Sequence, residues 1–237
     1  MPGLFGRTSK LGSIWLPTDI GDCKLWLRPD LGITKDELDR ISLEADQSGN
    51  GNNFPQTTDA KKLVWWANQL NGYPAIFSDG IDDEEQCINL LSLTEMSIFF
   101  VGKRLDNKAI FCYGSHGEGA VHTHQYYDLG NTLFSTDGIA VNNGIPDAVS
   151  IFNNYHCAIH CWGGGGTQST FFLNGTEKIV SGGNMNAVPN PQRLSLASQV
   201  GYDYGSHWRA DFALYNRIIT GEEIILLSNY AATRYGW

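Results

Sequence analysis

The feature that most constrains the fold is a succession of short apolar segments separated by glycine and asparagine turns. Residues 170–173 and 177–180 are two such segments, and Asn174 and Gly175 stand between them. Asn-Gly is a strong hairpin signal because both central residues of the turn must adopt positive φ. Comparable segments occur at residues 97–103, 108–113, 122–129, 132–135, 139–142, 156–162, 194–197 and 208–215. The pattern predicts an all-β protein, a two-sheet antiparallel β-sandwich.

The C-terminal segment changes to a helical period. Thr220 is followed three residues later by Glu223, which is the pattern of a capping box. Apolar residues then recur at helical spacing at Ile224, Leu227, Tyr230 and Ala231. The sequence therefore predicts a short C-terminal helix that closes the β domain.

The first 21 residues differ from the rest of the chain. They contain scattered glycines, prolines and aromatic residues with no sustained period, whereas the remainder shows no break in composition. We predict an extended N-terminal arm at residues 1–21 and one sandwich domain at residues 22–237, a size that such domains reach. Trp15 is interpreted either as a docking residue of the arm or as a ring that packs on the domain's own flank.

Charge and hydropathy exclude several classes of partner. The chain has 16 basic and 25 acidic residues, a net charge of -9, which argues against nucleic acid as a partner. It has no apolar run of about 18 residues, so no membrane insertion is expected. Residues 1–10 are not followed by the apolar stretch of a secretory signal. The five cysteines are widely spaced and odd in number, which favours reduced thiols over disulfides.

Several segments together resemble a known family. They are Leu-Trp-Leu-Arg-Pro-Asp at 25–30, Asp-Gln-Ser-Gly-Asn-Gly-Asn at 46–52, Asn-Gly-Tyr-Pro at 71–74, Phe-Ser-Asp-Gly-Ile-Asp-Asp at 77–83, and the closing strand, turn and helix at 213–236. The set resembles the laminin-G-like and concanavalin-A-like domains of bacterial and phage surface proteins. The resemblance implies a jelly-roll sandwich, and this fold carries lectins, hydrolases and adhesion modules alike.

Catalytic motifs of such folds are missing from the sequence. Retaining glycosidases need two carboxyl groups about 5 Å apart, which a Glu-x-Asp-x-x-Glu strand would supply. Glu44 and Asp46 have only the first spacing and run into a turn, and residues 82–85 form a charge run before a strand. The sequence also lacks a Gly-x-Ser-x-Gly nucleophile turn. We therefore predict that the chain is not an enzyme.

Aromatic residues near predicted turns are the best candidates for ligand contacts. Sugars stack their apolar faces on such rings while polar groups orient their hydroxyls. The candidate glycan-stacking residues are Trp162, Trp208, Tyr126, Tyr127, Tyr202 and Tyr204. The alternative is that many of these rings fill the sandwich. Trp65 and Trp66 must point to opposite faces of an extended strand, so one of them is expected in the core.

No cofactor is predicted, and calcium is a weak candidate only. Asp46, Asn50, Asp79 and Asp82 offer hard oxygen ligands in two turns. Aspartate and asparagine are also what tight turns require for backbone reasons alone. Histidines occur only in pairs, whereas zinc needs three or four convergent ligands.

Three functional hypotheses follow. The first is a virion structural or accessory protein, such as a phage capsid decoration, head fibre or tail attachment protein. It would be made in the host cytoplasm, lie on the virion surface, contact other virion proteins through the arm and form a homo-oligomer such as a trimer. The alternative is a carbohydrate-binding module that recognises a cell-surface glycan. The third, least favoured, is a glycoside hydrolase.

Overall fold

The structure is a computed structural model that describes residues 15–90, 93, 95–106, 108–114, 121–126, 131–136, 139–144, 154–162, 169–181, 192–198 and 204–236. Within these ranges the chain forms antiparallel sheets and one α-helix, which confirms the predicted β-sandwich with a short C-terminal helix. None of the helices in these ranges has the length and apolar character that crossing a membrane requires.

Two large sheets and one small sheet contain the strands of the described ranges. In spatial order, the larger sheet is β15 (Thr176–Ser181), β14 (Ser169–Leu173), β13 (His156–Trp162), β8 (Met96–Arg104), β17 (Ser206–Tyr215), β6 (Tyr73–Asp79) and β5 (Val64–Leu70), and β1 (Cys23–Leu27) also pairs with β17. The second sheet is β12 (Ile139–Gly144), β11 (Asn131–Thr136), β10 (Val121–Tyr126), β9 (Ala109–Gly114), β16 (Gln192–Leu196) and β7 (Glu85–Leu90). The small sheet is β2 (Ile33–Lys35), β3 (Ile41–Glu44) and β4 (Phe54–Pro55). Two 3₁₀ helices span Pro17–Asp19 and Asp59–Lys61.

The main core fills the space between the two large sheets. Phe100, Phe212 and Leu214 contribute to it from the larger sheet, and Phe111 and Leu196 from the second. The rings of Phe111 and Phe212 meet edge to face with centroids 5.7 Å apart. Alternate residues along each strand point to opposite faces, so the neighbours of Phe100, Phe212 and Leu214 lie on the outer face of the larger sheet.

Helix α1 (Gly221–Tyr235) covers part of that outer face. Its capping box forms as predicted, because the Thr220 hydroxyl accepts a hydrogen bond from the Glu223 amide and the Glu223 carboxylate accepts one from the Thr220 amide. The helix ends at Gly236, which has a φ of 81°. Its buried residues form a second core with the outer face, and they include the four predicted at helical spacing, Ile224, Leu227, Tyr230 and Ala231, together with Tyr235.

The predicted hairpin at Asn174 and Gly175 is present. These residues have φ values of 47° and 77° and join β14 to β15, which pair antiparallel. Positive φ at both positions is what the Asn-Gly sequence favours.

The described part of the predicted arm, residues 15–21, lies against the domain. Ile20 is buried in the second core, and the Tyr215 hydroxyl donates a hydrogen bond to the Pro17 carbonyl. Trp15 is 42% exposed and lines a crevice with Leu226 of α1. This position agrees with the interpretation that Trp15 packs on the domain's own flank. Residues 1–14 lie outside the described residues, so the docking role of the arm stays a prediction.

Candidate functional site

Just beyond α1, the outer face of the larger sheet carries a row of side chains that runs across the strands. Trp208 of β17 pairs with Phe77 of β6 on one side and with Lys103 of β8 on the other. Tyr155 precedes β13 and contacts Lys103, while Trp66 lies on β5 at the other end. We call Tyr155, Lys103, Trp208, Phe77 and Trp66 the aromatic row.

The members of the aromatic row contact one another directly. The Trp208 ring lies 4.9 Å from the Phe77 ring and 6.1 Å from the Trp66 ring, centroid to centroid. The Lys103 ammonium lies 5.9 Å from the centroid of the Trp208 ring and 4.9 Å from that of the Tyr155 ring. Both distances are within cation–π range. The row is therefore a continuous set of contacts across five neighbouring strands or strand ends.

The row is accessible to a ligand. Trp66 is 50% exposed, and the other four members are half-buried. Neighbouring strands lie about 4.8 Å apart, so the row is an elongated strip rather than a single contact point. A strip of partly exposed rings with a cation inside it can contact the apolar C–H groups of successive units of a chain-like ligand.

Local sequence explains how the row is held. Trp208 packs against the second core on its buried side. Gly102 allows β8 and β17 to approach closely, because a Cβ at this position would lie 2.2 Å from the Trp208 carbonyl oxygen. Trp65 points away from the row, packs with Ile76 in a third core and donates from its indole nitrogen to the Pro29 carbonyl, 2.7 Å away. The Trp65–Trp66 pair thus divides between core and surface, as predicted.

Among the predicted stacking residues, Trp208 belongs to the row, although it lies within a strand and not in a loop. Tyr204 is half-buried and lies close enough to Lys61 to affect the pKa of that lysine, so it belongs to a different part of the surface. Tyr127 and Tyr202 lie outside the described residues, as do the side chains of Tyr126 and Trp162.

The sequence analysis missed the other four members of the row. They are Trp66, Phe77, Lys103 and Tyr155. The Trp65–Trp66 pair was the available signal, because it guarantees that one indole leaves the core. The strand pairing that brings the remaining three residues beside it involves distant segments and is not encoded in any local pattern.

A separate cavity lies beside the second sheet, away from the aromatic row. It has a volume of about 660 Å³ and is lined by Gln56, Lys61, Glu84 and Ile88 among others. Its polar groups bond to one another: the Gln56 amide donates to the Glu84 carbonyl, and the Glu84 carboxylate accepts from Lys61 and from the Ser198 hydroxyl. These side chains hold the wall of the cavity together, which leaves fewer of their groups for a ligand.

Two glutamates do come together, but deep in the protein. Glu44 and Glu85 both contact the Arg209 guanidinium, with Nη1 of Arg209 3.0 Å from Glu44 and Nη2 3.3 Å from Glu85. All three side chains are fully buried. Burial and the neighbouring Glu44 raise the pKa of Glu85. A substrate cannot reach this pair, so its geometry is that of a structural ion cluster.

The calcium candidates fall in two separate turns. In the first, the Asp46 carboxylate accepts hydrogen bonds from the amides of Trp26, Ser48 and Asn52. The Asn50 amide donates to the Cys23 carbonyl. These bonds fasten the turn to the neighbouring strand β1, and they account for the residue types without an ion.

In the second turn, Asp79 and Asp82 come together with Asp83. One carboxylate oxygen from each lies within 4.8 Å of the others, and this is the one such group of three in the part of the chain that the structure describes. The pKa of Asp83 is raised to about 7, mainly by burial and also by the charges of Asp79 and Asp82, although the hydrogen bond from the Asp79 amide acts in the opposite direction. Asp79 is exposed, Asp82 is half-buried and Asp83 is buried, and a cluster of this kind does not by itself indicate a bound ion, so calcium stays a prediction.

Comparison with known proteins is informative at the level of structure. No protein-family model matches the chain, and no curated protein sequence matches it. Domain 4 of AbnA, a GH43 extracellular arabinanase from Geobacillus stearothermophilus solved in complex with arabinotriose, is similar with a TM-score of 0.62 at 14% identity. The match covers 87% of this chain and 98% of that one.

Two toxin domains are similar as well. The binding domain of Paraclostridial Mosquitocidal Protein 1 has a TM-score of 0.61 at 14% identity and 90% coverage of this chain. The botulinum neurotoxin serotype D ligand binding domain in complex with N-acetylneuraminic acid has a TM-score of 0.60 at 14% identity and 88% coverage. This chain spans about half of those two structures, 52% and 50%. At such low identity the likenesses show the β-sandwich fold.

Proposed function

We propose that this chain is a carbohydrate-binding module that holds its ligand on the aromatic row. The observation that carries the proposal is the contiguity of Trp66, Phe77 and Trp208 on a partly exposed sheet face. Soluble proteins rarely leave rings grouped on a surface unless they bind something there. The C–H faces of sugars suit such rings, because a ring face is apolar and carries partial negative charge.

The comparisons support the same class of function. The similar arabinanase domain was solved with arabinotriose and one of the toxin domains with N-acetylneuraminic acid. The sequence resemblance to laminin-G-like and concanavalin-A-like domains is compatible with this proposal, since that fold includes lectins, but it does not by itself favour binding over hydrolysis. We further propose that the module is not enzymatic. Within the described residues, Glu44 and Glu85 are the two glutamates that share a cation, Arg209, and both are fully buried, where a substrate cannot reach them.

The virion hypothesis concerns where such a module would act. Its partners, surface location and trimeric state stay predictions. The docking role of the arm can be tested by deletion. Deletion of residues 1–14 keeps the buried contacts of Pro17 and Ile20, whereas deletion of residues 1–21 would remove them, so the shorter deletion is the better test. Loss of incorporation into a particle after the shorter deletion, with the fold intact, would support the docking arm.

The carbohydrate proposal is tested with the full chain on a broad glycan array, followed by calorimetric titration of the ligands found. Trp66→Ala removes the most exposed ring of the row, and we expect at least a tenfold loss of affinity, equivalent to about 1.4 kcal/mol. Trp15→Ala is the matched control, because Trp15 is 42% exposed but lies against α1. It should bind like the wild type.

Two results would contradict the proposal. One is the absence of binding across the array at millimolar ligand. The other is binding that is unchanged in Trp66→Ala and Trp208→Ala but lost in Ile88→Glu, which would move the site to the cavity beside the second sheet. Thermal melting of each variant separates a lost contact from a lost fold.

A further inference from the structure

We propose that the aromatic row selects carboxylate-bearing saccharides, with the Lys103 ammonium as the group that receives the carboxylate. This inference rests on the proposed function and names its class of ligand. It starts from the position of Lys103, which lies between Tyr155 and Trp208 and not at the margin of the row. A sugar that contacts the exposed part of Trp208 therefore lies beside the ammonium.

The ionic environment of Lys103 differs from that of most basic side chains in the described ranges. Lys61 pairs with Glu84 and Arg217 with Glu223, for example. Lys103 has no carboxylate partner among the described residues, and it contacts the faces of two rings, those of Tyr155 and Trp208. Ring faces attract an ammonium without neutralising it, so these two contacts leave its charge available to an anionic ligand.

Because the whole chain is acidic, preference for an acidic saccharide must come from a contact at the site itself. A net charge of -9 repels anions at long range, so the protein offers no general attraction for acidic polymers. Binding of an acidic saccharide would therefore depend on a specific contact. Lys103 is the cation that the row provides, and charge-assisted hydrogen bonds to carboxylates are stronger than those to neutral hydroxyls.

Tyr155 supplies a second group at the same end of the row. Its hydroxyl is buried and has no hydrogen-bond partner among the described residues. A buried hydroxyl without a partner is unfavourable, by about 1–3 kcal/mol in general. Because this hydroxyl is enclosed, Tyr155 acts through its ring, whose centroid lies 4.9 Å from the Lys103 ammonium and holds that cation within the row.

The experiment compares pairs of ligands that differ only in charge. An oligogalacturonate and its methyl ester share one backbone, and sialyllactose and its carboxyl methyl ester extend the comparison. We expect the acidic member of the bound pair to bind about tenfold more tightly, and this advantage to shrink as salt is raised from 50 to 500 mM. Lys103→Met should abolish the advantage, so that the acidic and the neutral member bind this variant with equal affinity. Lys108→Met, an exposed lysine outside the row, should keep it.

The outcomes separate this inference from the proposed function. Equal affinity for acidic and neutral members, with both lost in Trp66→Ala, would refute the selection and preserve the glycan site. An acidic preference that survives Lys103→Met would also refute it. Tight binding of inorganic phosphate or phosphorylated sugars at Lys103, with no response to carboxylates, would replace the ligand class. No glycan binding at the row would overturn both proposals.

Discussion

Asp211 lies between the larger sheet and α1, and it gives a quantitative test of how the helix is held. Its carboxylate accepts hydrogen bonds from the Trp26 indole and the Tyr230 hydroxyl, each 2.8 Å away, and from the Tyr235 hydroxyl at 3.0 Å. Burial raises its pKa from 3.8 to about 6, although these three donors act in the opposite direction. The folded protein therefore binds a proton at this site more tightly than the unfolded chain does.

The direction of the pH effect follows from that difference. Between pH 4 and 6 the folded protein retains a proton that the unfolded chain has released, so this group's contribution to stability falls as the pH rises. A change in pKa from 3.8 to about 6 is worth about 3 kcal/mol in all, of which about 2 kcal/mol falls between pH 4 and 7. Asp211→Asn cannot titrate, so its stability relative to the wild type should rise by about 2 kcal/mol over that interval.

The assay is urea unfolding followed by tryptophan fluorescence at pH 4, 5, 6 and 7. The isoelectric point of about 5.0 lies within this pH range, and a protein near its isoelectric point tends to associate. The protein is therefore kept at micromolar concentration. Tyr230→Phe removes one of the three donors, so it should raise the pKa of Asp211 further and move the midpoint to higher pH. A difference between wild type and Asp211→Asn that stays constant within about 1 kcal/mol would show that Asp211 does not titrate here.

Three further predictions concern the sheet, the buried cluster and the acidic turn. Gly102→Ala should cost more than about 2 kcal/mol in urea unfolding, because its Cβ would lie 2.2 Å from the Trp208 carbonyl, whereas Gly221→Ala has open space and should be neutral or stabilising. Arg209→Met leaves two buried carboxylates without their cation, so it should lower the free energy of unfolding by about 3–5 kcal/mol at pH 7. The loss should be smaller at pH 5, and equal losses at the two pH values would contradict the ionic explanation. If the protein binds no cofactor, its thermal melting curve should be the same in calcium chloride as in EDTA. A calcium-dependent rise that Asp83→Asn abolishes would instead identify an ion at that turn.

Much of the fold could be predicted because its signals are local. The Asn-Gly pair indicates a tight hairpin at Asn174 and Gly175, since its residues accept positive φ wherever they occur. The helix start is equally local, because Thr220 and Glu223 satisfy each other's backbone donors within one turn. The candidate site was predicted less well: Trp208 was identified, while its neighbours in the row were not.

The sequence by itself determined which segments extend, where the chain turns and which terminal residues form a helix, because these depend on propensities within a few residues. Only the tertiary structure decided the aromatic row. Its members come from positions between 66 and 208 of the sequence. They meet because β5, β6, β17, β8 and the start of β13 are neighbours in one sheet, and because the pairing of these strands places the five side chains beside one another. The placement of α1 then decides which rings of that face are buried and which remain for a ligand, since a helix packed on a sheet covers only part of it.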